Sequence, residues 1–234
     1  MKNYLFLVMI MIYSPGNSDA QSTDPISKSE EYIHSYDSHQ VKYDGISKQF
    51  SESEIKGSPY LTDSFMTGSI YTQNKQQFLN IPVRYNIYTD NIEYILGAGR
   101  VLQLEAPESV EKVEFGSYKL IFIPEEKQRP KDAGFFIVLV EGKVSLLSKP
   151  EIRLKKPTPQ GGYVEQEPPS LVRKPDTFYL KTSSNQILPV RSKTGLVSAF
   201  SDNKEKMSQY MKKNKIKLSD SESLTELIRY YNSL

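Results

Sequence analysis

Three short chain reversals, each flanked by segments with apolar residues on alternate positions, constrain this chain more than any other feature. Side chains of a strand alternate between faces, so each reversal predicts a register that can be checked residue by residue. Taken as a two-residue turn, Asp90-Asn91 sets Ile87 opposite Tyr94 and Tyr85 opposite Leu96. Arg84, Asn86, Glu93 and Ile95 then take the other face. A turn at Gly116-Ser117 pairs Phe115 with Tyr118 and Val113 with Leu120, with Glu114 meeting Lys119. A turn at Glu141-Gly142 pairs Leu139 with Val144 and Ile137 with Leu146. In that last hairpin Phe136, Val138 and Val140 make the second face apolar too, which predicts a strand buried on both sides at the centre of the sheet.

Smaller strands are expected over 65–71, 101–105, 178–182 and 187–191. Residues 125–134 read as a charged loop. The stretch 155–176 carries Pro157, Pro159, Gly161, Gly162, Pro168, Pro169 and Pro175 and reads as irregular. Two capping-box patterns, Asp202 with Glu205 and Ser219 with Glu222, open a pair of C-terminal helices. Met207, Tyr210 and Met211 form an apolar stripe on the first; Leu224, Leu227, Ile228 and Tyr231 recur at helical spacing on the second. A shorter helix is expected over 194–200. The fold class is therefore α+β, an antiparallel β-meander sheet with a C-terminal pair of amphipathic helices.

The N-terminus sets the organisation. Lys2 precedes the charge-free apolar run 4–13, Ser14-Pro15-Gly16 breaks it, and Ser18 and Ala20 place small residues three and one positions before Gln21. That is the pattern of a cleaved signal peptide, and the run has about half the length a bilayer span needs. The expected division is a signal peptide over 1–20, a polar mobile leader over 21–56, a β-sheet body over 57–192 and helices over 193–234. The expected location is periplasmic or secreted after cleavage near Ala20/Gln21, with no transmembrane anchor in the mature chain.

Composition narrows the chemistry. The chain has 30 Lys and Arg against 28 Asp and Glu, a balance that argues against bulk binding to nucleic acid. It has no cysteine, so disulfides, thiolate nucleophiles and lipoprotein acylation are excluded. The two histidines, His34 and His39, lie in the leader with Asp37 between them; an i, i+5 spacing does not share a helix face as a metal pair does. Gly97-Ala98-Gly99-Arg100 sits between two strands and opens no helix, so a turn explains it better than a phosphate loop. Glu105, Glu108, Glu111 and Glu114 scatter over both faces. The lysines over 203–217 and the acids Asp220, Glu222 and Glu226 complement helix dipoles. No catalytic, cofactor or metal constellation stands out.

The 16 tyrosines without a tryptophan are the least ordinary feature. Tyr85, Tyr94 and Tyr118 fit core-facing strand positions, and they are also the candidates for a ligand surface, since tyrosine-rich sheets line binding concavities.

The run Val83-Arg84-Tyr85-Asn86-Ile87-Tyr88 followed by Glu93, the stretch 134–142 ahead of Lys143, and the ending Arg229-Tyr230-Tyr231-Asn232 resemble exported proteins of Bacteroidota of unestablished function. The resemblance spans roughly 57–234. It implies a signal peptide, a β-rich body and a helical tail, and carries no activity or site residue.

The functional expectation is a non-enzymatic envelope binding protein without cofactor, presenting an apolar sheet surface in the manner of lipid or acyl-chain carriers. The alternative is an envelope protein-interaction module using the leader, the loop 155–176 or the basic helix 203–217. An enzyme built on unrecognised carboxylates or tyrosines ranks third.

Overall fold

The computed structural model describes residues 54–97, 99–125, 133–157, 167–200 and 202–234, and the backbone of 35–37. The expected signal peptide over 1–20, most of the expected leader with His34 and His39, most of the loop 125–134, and 158–166 of the stretch 155–176 lie outside the described residues.

The strands are β1 (Ser35–Asp37), β2 (Met66–Thr72), β3 (Gln77–Asn86), β4 (Asn91–Leu96), β5 (Arg100–Leu104), β6 (Val110–Phe115), β7 (Tyr118–Ile123), β8 (Gly134–Val140), β9 (Val144–Lys149), β10 (Ile152–Lys155), β11 (Ser170–Arg173), β12 (Thr177–Thr182) and β13 (Ile187–Pro189). Three helices follow: α1 (Lys193–Ser198), α2 (Lys204–Lys213) and α3 (Ser221–Asn232). An 11-stranded antiparallel sheet runs β1-β5-β4-β3-β2-β6-β7-β8-β9-β12-β13, and β10-β11 form a separate ribbon. The fold is α+β, with the helices gathered at the C-terminus.

The chain reverses close to all three expected points, though not at Asp90-Asn91 itself. The Gly116-Ser117 hairpin has the expected register: Phe115 with Tyr118, Glu114 with Lys119, Val113 with Leu120. The first hairpin differs. Val83 pairs with Tyr94, Arg84 with Glu93 and Tyr85 with Ile92, so the reversal takes residues 87–90 rather than Asp90-Asn91. Asn86 Oδ1 accepts from the Thr89 N–H at 3.1 Å and Asp90 adopts φ 51°, a conformation Asp tolerates. The slip is four positions along β3, an even number, so every side chain keeps its expected face. The third hairpin also differs: Ile137 stands opposite Ser148, and on the turn side of a bulge between Val138 and Val140, Val140 stands opposite Leu146. The extra residue sends Val140 to the helix side. As expected, β8 is apolar on both faces: Phe135 and Ile137 join one buried cluster and Phe136 the opposite one.

The stretch 155–176 is not wholly irregular. Ser170–Arg173 pairs with Ile152–Lys155, because Pro168 and Pro169 stand before the strand and leave its N–H groups intact. Leu171 and Ile152 bury into the main core; Leu171 N–H donates to Lys56 O at 2.7 Å, and Lys56 N–H donates to Pro169 O at 3.0 Å.

The sheet is strongly curled. Strands β3 and β8 are four places apart in the order, which in a flat sheet is about 19 Å. Yet the rings of Tyr85 and Phe135 meet edge-on at 5.9 Å. The curl is made possible by bulges in β2 against both neighbours and by Gly68, where a Cβ would stand 2.7 Å from the Phe115 Cβ. One face becomes the inside, filled by Ile70, Val83, Tyr85, Ile92, Tyr94, Val113 and Leu120, with the β10-β11 ribbon packed on it.

The same face continues onto β9 and β12, where the helices cover it. Leu224, Leu227, Ile228 and Tyr231 of α3 and Met207 and Met211 of α2 are buried there with Leu146, Phe178 and Leu180, as the helical stripes predict. Asn232 fastens α3 to the sheet: its Oδ1 accepts from Val144 N–H at 3.0 Å and its Nδ2 donates to Val144 O at 2.9 Å. The capping boxes are not formed as expected. Asp202 bonds Lys143 and the Tyr231 hydroxyl in place of capping α2, because two side-chain donors, one of them cationic, outcompete a backbone N–H. The cap of α3 is Asp220, which accepts from Ser223 N–H at 3.2 Å.

Lys143 first and then Tyr231 pull the Asp202 carboxyl down to about 2, against an ordinary 3.8. A depressed acid stabilises the fold above its unfolded value and loses that contribution as pH falls through the folded one. The tie between α3 and the β8-β9 hairpin should therefore loosen below pH about 3.8 and be lost near 2. Carboxyl NMR of Asp202 should show this midpoint, and Tyr231→Phe should raise it.

Candidate functional site

The three tyrosines expected as ligand-surface candidates lie on the inner face and do not form an open surface. Tyr85 and Tyr94 are 0% exposed. Tyr118 is half-buried, its ring 5.6 Å from Phe115. Core packing thus overrides the surface role for Tyr85 and Tyr94: the curl that brings β8 over β3 covers the residues a flat sheet would present.

Their hydroxyls differ. Tyr85 donates to Asp90 Oδ1 at 2.7 Å; burial foremost, then the Asp90 charge, holds its proton on well above the usual phenol range. Among the described residues Tyr94 has no hydrogen-bond partner for its hydroxyl, and burial, followed by Glu105, raises its pKa. A buried unsatisfied hydroxyl is costly. Tyr94→Phe should therefore stabilise the protein by about 1 kcal/mol, and Tyr85→Phe should destabilise it by about 1–2 kcal/mol. Urea unfolding of the two variants reads the opposite signs.

The acidic and glycine-rich segments stay apart from one another. Glu111 pairs with Lys75 at 2.7 Å and Glu114 with Lys112 at 2.6 Å. Gly97 and Gly99 turn the chain from β4 to β5 with positive φ. Among the described residues no group of three or more His, Asp or Glu is placed to hold a metal ion.

What the fold does assemble is a pocket on the outer face of β9, β12 and β13, opposite the helices. It has a volume of about 480 Å³ and is lined by Lys149, Pro150, Glu151, Arg153, Thr177, Tyr179 and Arg191. Register explains the lining. Lys149 pairs with Thr177 and Leu147 with Tyr179, while Tyr179 pairs with Pro189. Continuing that antiparallel register sets Arg191 beside Thr177. Lys149 on β9, Thr177 on β12 and Arg191, just past the end of β13, thus form one row, and Leu147, Tyr179 and Pro189 form the next. Phe136 and Tyr179 pack perpendicular beneath, ring centroids 5.1 Å apart. Val190 N–H donates to Phe178 O at 2.8 Å and the Ser192 hydroxyl caps α1, which fixes the backbone on both sides of Arg191.

The charges around the pocket are unequal in their engagement. Lys149 bonds Asp90 Oδ2 at 2.9 Å, donates to Ala133 O and lies 4.8 Å from the centre of the Phe136 ring. Arg153 is paired with Glu151. Among the described residues no carboxylate pairs with Arg191. A second cavity, about 240 Å³, lies between α1 and α2 and is lined by Lys193, Thr194, Val197, Ser208, Met211 and Lys212.

The larger pocket was not legible in the sequence. Its residues come from positions 149–153, 177–179 and 191, and only the pairing of β9 with β12 across the connection 150–176 brings them together. The one local signal was alternation: Thr177 and Tyr179 share a face opposite the buried Phe178 and Leu180. No protein-family model, curated protein or solved structure matches this chain.

Proposed function

We propose that this chain is an exported, non-enzymatic binding protein of the cell envelope, and that the pocket at Lys149, Arg153, Thr177, Tyr179 and Arg191 is its ligand site. The observation that carries the reading is the pocket itself. Its volume of about 480 Å³ falls in the range of small-molecule sites, and it combines an aromatic floor with a few converging polar groups. Export is supported by Lys2, the apolar run 4–13, Ser18 and Ala20 and by the resemblance to exported proteins of Bacteroidota. Binding rather than catalysis is supported by how the groups are engaged: Glu151 is paired with Arg153 and Lys149 with Asp90, and an arginine does not shuttle protons.

A lipid ligand on the apolar face has less support, since Val83, Tyr85, Ile92 and Tyr94 turn into that face and are fully covered. An envelope protein docking on the basic helix is the rival. Native mass spectrometry of protein exposed to an envelope small-molecule extract tests between them. The expected result is a bound mass that Thr177→Trp removes without lowering the melting temperature. A bound mass unaffected by Thr177→Trp, or no bound mass with one dominant cross-linked envelope protein, overturns the pocket as the site.

A further inference from the structure

We infer that the ligand of this pocket carries a singly charged oxyanion, a carboxylate or a phosphodiester, seated over Thr177 between Arg191 and Lys149. The inference rests on the pocket being the ligand site and adds the chemistry of what it holds.

The lining carries three cations, Lys149, Arg153 and Arg191, against one carboxylate, Glu151. Glu151 is taken by Arg153, and Asp90, behind the pocket, balances Lys149. The charge left over is the single positive unit of Arg191, whose complement is a monoanion. The row geometry says where it sits. Thr177 is flanked by Lys149 on β9, paired directly with it, and by Arg191, two residues past the end of β13; neighbouring strands lie about 4.8 Å apart at the backbone. Both long side chains can therefore reach one group held above the Thr177 hydroxyl. The ammonium spends two of its three N–H donors on Asp90 and Ala133 O and retains one. The guanidinium offers a planar fork that matches carboxylate or phosphate oxygens in two parallel bonds. The fork and the spare ammonium N–H only donate, the Thr177 hydroxyl can donate beside them, and the one carboxylate of the lining, Glu151, is paired with Arg153. An oxyanion satisfies this set; a neutral alcohol or an alkyl chain does not.

The test uses full-length mature protein, with the Thr177 methyl and the Arg191 side-chain N–H observed by NMR. The probes are acetate, dimethyl phosphate and neutral acetamide, whose shape is close to that of acetate. Acetate or dimethyl phosphate should shift both signals saturably, and the one that does so more tightly identifies the oxyanion. The apparent affinity should weaken several-fold between low and physiological salt. Arg191→Ala should weaken it at least tenfold and Arg191→Lys by less; the side chain is exposed, so both variants should melt with the wild type. If acetamide shifts the signals as strongly as acetate, or Arg191→Ala binds the anions unchanged, the oxyanion inference is overturned. The ligand-site reading survives that outcome if Thr177→Trp still removes the bound mass from the extract experiment. If no probe moves the signals and no bound mass is found, both fall.

Discussion

Replacing Glu93 with alanine is expected to destabilise the protein by about 3 kcal/mol or more, the range for breaking a buried ion pair from one side. Glu93 is 1% exposed on the outer face of β4. Two guanidinium nitrogens of Arg84 converge on its Oε2, at 2.6 and 2.8 Å. Asn86 and Gln103 donate to Oε1 at 3.1 and 3.4 Å. The guanidinium is itself held flat: its carbon lies 3.6 Å from the centre of the Tyr60 ring and 4.3 Å from that of Phe65. Removing the carboxylate leaves this cation between two rings with its main counter-charge gone. Glu93→Gln keeps the shape and an acceptor and should cost about half as much. The double variant Arg84→Met with Glu93→Leu should recover part of the loss, because the two desolvated charges leave together, while the buried Asn86 amide still loses its acceptor. Urea unfolding reads all three; a double variant no more stable than Glu93→Ala would show that packing by the arginine stem, and not charge pairing, holds this face.

Gly134→Ala should be the second large effect, about 2–4 kcal/mol, or a drop in melting temperature of roughly 5–15 °C for a chain of this size. The residue has φ +108°, and a Cβ there would overlap Asp90 Oδ2 and stand 2.7 Å from Lys149 Nζ. Asp90 is the hub that closes the curl: Oδ1 accepts from the Tyr85 hydroxyl and from Phe135 N–H at 3.1 Å, and Oδ2 from Lys149. These bonds tie the β3-β4 reversal to β8 and β9, 45 and 59 residues away in the chain. Asp90→Ala removes the hub and relieves the overlap together. Added to Gly134→Ala, it should therefore cost less than the two losses combined. Strict additivity would mean that the strain lies in the backbone angle alone. Lys149 is shared between this hub and the pocket wall, so either change should also weaken the binding proposed for the pocket.

The two effects were unequally visible in the chain. Alternation alone placed Arg84 and Glu93 on one outer face, since parity survives a slip of four residues. That they stand directly opposite each other, buried under Tyr60 and Phe65, depended on the reversal at 87–90 and on a segment that folds over from 58–65. Nothing near Gly134 announces Asp90, because the contact exists only once the sheet has curled. The helical stripes Met207–Met211 and Leu224–Tyr231 were legible for the same reason as the strand faces. The caps were not, because Asp202 has better donors in Lys143 and Tyr231 than in its own helix.

The chain by itself determined which side chains share a face on most strands and which segments are strands and helices, because those depend on periods of two and 3.6 residues. Only the tertiary structure decided how far the sheet bends, and with it the burial of Tyr85 and Tyr94 and the assembly of the row Lys149, Thr177 and Arg191. Bending is set by bulges, by close approaches such as Gly68 to Phe115, and by bonds between residues distant in the chain, none of which leaves a periodic trace in the sequence.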